Sequence, residues 1–391
     1  MNHIERFRAV CRGDAVDYVP ILGLPGASGV AFGGAWGEIH RRLVETGMPR
    51  SVLGWTEENA FKSEASLPWS QYWGTLSPIT VHFWACDRPG RVELEKSVRD
   101  GFEVIEYETG AVTRQVIGND DSYSMPAFES YHVRDRESWD HYKKCMASSP
   151  PWPVQRVAEA CQPYVERDRP LCINLGSTWG GIRDLMGPER ACTIMYDDPE
   201  LARDIIQWQH EMRVTYQFPL VEYLHPEIVL LHEDCCYNHG MMISPRQFVD
   251  LCGESYREVA RLKQSLDIDM FAVDSDGDVA QLIPELSKLG ANAVYPLEVK
   301  ANGDLPALGE ADPRFILMGG LEKEVLNEGN KHLIESEITG KVPAMLKRGR
   351  YFPNIDHTLQ PMCTFDNLRH FMTLLHDTMD NPEGEFPRID L

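Results

Sequence analysis

The sequence predicts an α/β fold, a (β/α)8 TIM barrel with an antiparallel β segment inserted near its N-terminus. Three observations carry that prediction. Eight short apolar runs of β-type residues, near positions 21, 53, 173, 229, 271, 294, 316 and 351, alternate with helix-like intervals of the length that joins parallel strands. Several of those runs end in carboxylates or histidines, which a strand buried on both faces has no packing reason to carry. Between about residues 56 and 150 the texture changes to short alternating segments, as in an antiparallel sheet. A chain of 391 residues can bury the core of one such domain, taken as residues 1–391.

In order, Ile4–Cys11 reads as a short helix ended near Gly13, and Ile21–Leu24 as the first strand, broken by the Gly/Pro-rich residues 23–29, GLPGASG. Helix-like Ala35–Glu45 leads to the second strand, Ser51–Trp55. Thr80–Trp84, Val92–Leu94, Phe102–Tyr107 and Ala111–Val116 are the segments of the insertion, and Pro150–Pro153 marks the return to the larger fold. Helix Val154–Val165 precedes strand Leu171–Leu175, and one long helix, Pro199–Leu220, precedes strand Ile228–Leu231. Helix Pro245–Leu266 leads to strand Met270–Val273, helix Val279–Leu289 to strand Ala291–Tyr295, and strand Phe315–Met318 ends at Gly319–Gly320. Helices Leu321–Leu326 and Lys331–Leu346, strand Arg350–Pro353 and helix Phe365–Leu375 complete the pattern.

A net charge of −22 argues against nucleic acid or an anionic membrane surface as partner. Ten cysteines with no Cys-x-x-Cys pair, a charged amphipathic N-terminus and no apolar run of about 20 residues imply a reduced, cytoplasmic setting. The oligomeric state is open, a homodimer included.

In parallel α/β folds the C-terminal strand ends share one face, where active sites lie. Glu233, Asp234, Asp274, Asp276, Glu298, Asp356 and His357 are therefore expected around one rim. Carboxylates gathered so closely need a cation, shared protons or solvent. Oxygen ligands with one imidazole suit Zn²⁺, Mn²⁺ or a similar divalent ion. The expected metal set is Asp274, Asp276, Glu298 and His357; the acid–base candidates are Glu233, Asp234 and His239. Against this, Asp276 or Asp278 suits the N-cap of the helix from Val279, Asp234 suits a turn, and His232, Cys235 and Cys236 are as readily structural. Asp274, Asp276, Asp278 and Glu285 mimic positions of a calcium loop, but Val279 stands where that loop needs Gly and a strand precedes it.

The segments ERFRAVCRGDAVDYVPIL, EDCCYNHGMMISPRQF, VDSDGD, YPLE, MGGLEKEVL and GRYFPNIDHTLQPMCTFDN carry a likeness. Over nearly the whole chain outside the insertion, they resemble the uroporphyrinogen decarboxylase-like superfamily, and most the branch of cobalamin-dependent methyltransferases that includes the methyl-transfer component of O-demethylase systems. The resemblance implies a TIM barrel, a small-molecule methyl donor, a divalent metal such as zinc, and a corrinoid carried by a partner protein. Two departures are plain. The Arg-rich segment that holds the porphyrinogen carboxylates in the decarboxylases is replaced here by GLPGASG, and their catalytic Asp falls on Ser51. The resemblance puts the branch's zinc-binding His-x-Cys on Asp274 and Asp276 and its last ligand, counted back from Asn367, on His357, with Glu298 as a fourth. An oxygen-rich set is harder, suited to an ether oxygen rather than a thiolate. The leading expectation is thus a metal-dependent methyltransferase that passes a methyl group from a small, methoxylated substrate to a separate corrinoid protein. The alternatives are a metal-independent decarboxylase or lyase of a small acid, and a non-catalytic binding protein on a barrel scaffold.

Overall fold

Runs of Ile, Leu, Val, Phe and Ala too short for helices pair side by side in the computed structural model, which describes residues 1–24, 30, 37–53, 67–81, 85–86, 92–117, 126–148, 150–327 and 329–390. The strands, in chain order, are β1 (Ile21–Leu22), β2 (Thr75–Leu76), β3 (Ile79–Val81), β4 (Glu93–Arg99), β5 (Phe102–Tyr107), β6 (Val112–Val116), β7 (Ala127–Ser130), β8 (Leu171–Asn174), β9 (Ile228–His232), β10 (Cys236–Tyr237), β11 (Gly240–Met241), β12 (Met270–Asp274), β13 (Ala293–Tyr295), β14 (Ile316–Met318) and β15 (Tyr351–Phe352). Seven form one parallel sheet in the order β15-β14-β13-β12-β9-β8-β3, and β1 pairs in parallel with β2. Helices separate most successive members of the large sheet, as parallel connections require.

Side chains alternate along each strand. Leu22, Leu76, Cys172, Leu230, Ala272, Tyr295, Met318 and Phe352 meet in one apolar cluster with Phe7, Val10 and Cys11 of the first helix, His3–Arg12. Their neighbours Ile173, Val229, Leu231, Phe271, Val273, Val294 and Leu317 pack outward against the helices. Both faces are thus buried, which is why these strands read as continuous apolar runs.

The second parallel strand is not Ser51–Trp55. Residues 51–53 form a turn in which Val52 N–H bonds Pro49 C=O, and residues 54 and 55 lie outside the described part. The strand is instead split into β2 and β3 by Ser77–Pro78, each half pairing with a different neighbour. Thr80 and Val81, expected in the insertion, consequently belong to the parallel sheet, while residues 82–84 lie outside the described part. A separate antiparallel sheet, ordered β4-β5-β6-β7, is built from strands within residues 93–116 and 127–130. The long helix expected over Pro199–Leu220 is three pieces: Pro199–Met212, a widened π turn at Arg213–Gln217, and Phe218–Leu224. The turn expected within residues 23–29 falls mostly outside the described part.

The first helix is capped by an Asn2–Glu5 capping box and ends at Gly13 in the left-handed region. Its Arg8 and Arg12 reach the N-terminal strand ends, where they pair with Asp269, and Arg8 also pairs with Glu227. Arg167 completes that cluster from the far side of Glu227.

Candidate functional site

Strand register builds the centre of the site. β9 and β12 are parallel neighbours with His232 opposite Asp274, so the two side chains emerge together where both strands end. His232 Nδ1 lies 2.7 Å from Asp274 Oδ2. Tyr295, opposite Asp274 on β13, hydrogen-bonds the same carboxyl group. Just beyond β9 the chain turns sharply, with Asp234 at φ 42°, in a conformation that Asp tolerates better than most residues. The backbone N–H groups of Glu233 and Asp234 both donate to Asp274 C=O, at 2.8 and 3.1 Å. The turn points Asp234 back to the rim: Oδ2 is 2.9 Å from Arg183 Nη1 and 3.6 Å from His232 Nε2, and Oδ1 accepts Asp276 N–H at 3.2 Å.

These contacts set the charges. Burial works against a charged His232, but Asp274, Asp234 and Asp184 outweigh it and push the ring up to about 10. Burial raises the Asp274 carboxyl, with His232 and Tyr295 pulling it back only in part. Asp234 is lowered, because His232 and Arg183 overcome its burial. Asp276 is pushed up to about 8 by burial and by the carboxylates of Asp234, Asp274 and Glu298.

The other half of the rim is organised differently. Glu298 Oε2 accepts Gly277 N–H at 3.0 Å, and Lys323 Nζ lies 3.9 Å from its other oxygen. Asp356 is buried and accepts the backbone N–H groups of Val299 and Lys323 at 2.9 and 3.1 Å, so it anchors two loops. His357 Nδ1 accepts Thr358 N–H at 2.8 Å, which leaves the proton of the neutral ring on Nε2, 3.6 Å from Asp276 Oδ1. Burial and Lys323 both lower its pKa.

Two acid–base candidates stand apart from the His232–Asp234–Asp274 cluster. Glu233 is fully buried and points away from the rim; it accepts Thr178 N–H, Thr178 O–H, Gly180 N–H and Tyr256 O–H, holding the start of helix Trp179–Met186. Burial raises its carboxyl, and the Thr178 and Gly180 donors and Arg213 pull it back only in part. His239 is exposed in the turn between β10 and β11, its ring edge-on to Tyr237.

The four expected metal ligands do not converge. Among the described residues, only His232, Asp234 and Asp274 bring three donor atoms within 4.8 Å of one another. Arg183, Lys323 and Tyr295 were not expected: nothing in the spacing of WGGIRDLM shows that one helix side chain reaches over a neighbouring strand end, and Tyr295 reads as core.

Residues 116–378 match the sequence profile of the family described as uroporphyrinogen decarboxylase (URO-D). The chain belongs to the URO-D family. No curated protein matches it. Among solved structures, a methyltransferase from Methanosarcina mazei superposes with a TM-score of 0.60 at 15% identity, over 96% of this chain and 99% of that one. At that identity the likeness is one of fold. The URO-D family match begins within the antiparallel sheet, at residue 116, and takes in every rim residue named above.

Proposed function

We propose that this chain is a methyltransferase that moves a methyl group from a small, methoxylated donor to the cobalt of a corrinoid held by a separate protein. The observation that carries the reading is the polar cluster of His232, Asp234, Asp274 and Asp276 at the strand ends, in a fold shared over 96% of the chain with a methyltransferase. On this reading the parallel strands close into a (β/α)8 barrel whose open end takes the donor, and the protein works in the cytoplasm.

The family expectation of a resident zinc fits these residues poorly. His232 Nδ1 and Asp274 Oδ2, at 2.7 Å, are a hydrogen-bonded pair, closer than the roughly 3.0–3.4 Å that separates two ligand atoms on one ion. If an ion took Nε2 instead, Asp274 would lie across the ring, leaving only Asp234, which already holds Arg183. Catalytic zinc sites use three protein ligands. Arg183, protonated His232 and Lys323 supply the rim's positive charge from within the chain.

The family name favours a second reading, decarboxylation of a small acid with the His232–Asp274 pair as its acid–base group. The test is direct. Free cob(I)alamin mixed with the protein and an aryl methyl ether should be converted to methylcobalamin, followed by absorbance. Release of CO₂ from a carboxylic acid with no corrinoid acceptor would replace the methyltransferase reading by the second one.

A further inference from the structure

We infer that His232 protonates the leaving atom of the methyl donor, with Asp274 as its positioning residue, in place of the Lewis-acid metal expected in this branch. The inference rests on the methyltransferase reading and adds to it how the donor is activated.

The geometry is that of an oriented imidazole. Asp274, 3% exposed, fixes Nδ1 from beneath, while the ring, 39% exposed, turns Nε2 to the rim. A buried carboxylate bonded to Nδ1–H fixes the ring's orientation and stabilises the imidazolium, whose Nε2–H is then the proton offered to a substrate. The carboxylate in turn is fixed by Tyr295 on the neighbouring strand. Titratable and charged groups facing the ring are Asp274 from β12, Asp276 just beyond it, Asp234 from the turn after β9 and Asp184 from helix Trp179–Met186, with Arg183 held against Asp234. Arg183 keeps Asp234 at 3.6 Å from Nε2, near enough to favour the protonated ring without occupying the proton.

The step balances without a metal. The cobalt(I) electron pair forms the new bond to the methyl carbon as the carbon–oxygen bond breaks. The electrons of that bond pass to oxygen, which takes the Nε2 proton of His232 and leaves as an alcohol or phenol from an ether, or as water from methanol. The neutral ring then regains a proton from solvent. Proton donation matters most for a poor leaving group and not at all for a neutral one.

The experiment uses free cob(I)alamin with methanol, with aryl methyl ethers of graded phenol acidity, and with a methylsulfonium donor that leaves as a neutral thioether. For His232→Gln, the expected loss is on the order of 10²- to 10⁴-fold with methanol and the least acidic phenol. It should shrink as phenol acidity rises and vanish with the sulfonium. Asp274→Asn should show the same dependence at smaller amplitude, with partial rescue by Asp274→Glu, and unfolding midpoints would identify a variant that fails to fold. Equal losses across all donors would overturn the proton-donor role. Loss of wild-type activity on chelation, restored by Zn²⁺, would overturn it while leaving the methyltransferase reading intact. No methyl transfer from any donor by the wild type would instead remove that reading.

Discussion

The two ends of the parallel sheet both bury carboxylates, yet they balance them in opposite ways. At the N-terminal ends, Glu227 and Asp269 are each met by two arginines: Arg8 and Arg167 for the first, Arg8 and Arg12 for the second. Glu227 also accepts Leu171 N–H, so its two oxygens are fully engaged. At the C-terminal ends, Asp274 is balanced by an imidazole and a phenol, and Asp276 retains a proton up to about 8. Guanidinium groups do not give up protons, whereas imidazole and crowded carboxyl groups do. A buried acid therefore marks a reactive end only when its partner can exchange a proton.

The largest loss of stability is expected at the N-terminal end. Glu227→Gln leaves Arg167, 10% exposed, without its counter-charge and should cost about 3–5 kcal/mol in denaturant unfolding, with kcat of the folded protein unchanged. At the rim, Arg183→Met frees Asp234 and should lower methyl-transfer kcat on the order of 10- to 100-fold. Its unfolding midpoint should stay near wild type.

The pH dependence of stability gives a sharper contrast. His232 titrates near 6.5 when unfolded and near 10 when folded, so between those values the native state binds more protons and stability falls as pH rises. For a ring 39% exposed the discounted loss is about 1 kcal/mol, and His232→Gln should abolish it. The smallest effect is expected of His239→Ala, which should change stability by less than about 0.5 kcal/mol and leave methyl transfer untouched.

Periodicity and strand endings made most of the sheet legible, because strands buried on both faces are continuous apolar runs with little else to imitate them. The second strand escaped because Ser77–Pro78 interrupts it: proline has no N–H for a ladder, and each half is too short to register alone. At the site, the acids themselves could be read but their roles could not. Asp269 and Asp274 stand at the two ends of one strand and look alike in sequence. What separates them is the company they keep: two arginines for one and a histidine for the other. The contacts of Glu233 were not legible either, because its partner Thr178, at the start of helix Trp179–Met186, lies 55 residues back, beyond the reach of local spacing.

The arginines of the first helix carry a consequence for biosynthesis. Arg8 finds its carboxylate partners 219 and 261 residues further along the polypeptide. During translation that helix leaves the ribosome long before either acid has been made, and it must wait with Phe7 and Val10 unpacked until the middle strands arrive. Closing the N-terminal ends of the sheet therefore waits on residues from the middle of the chain, however early the helix itself forms.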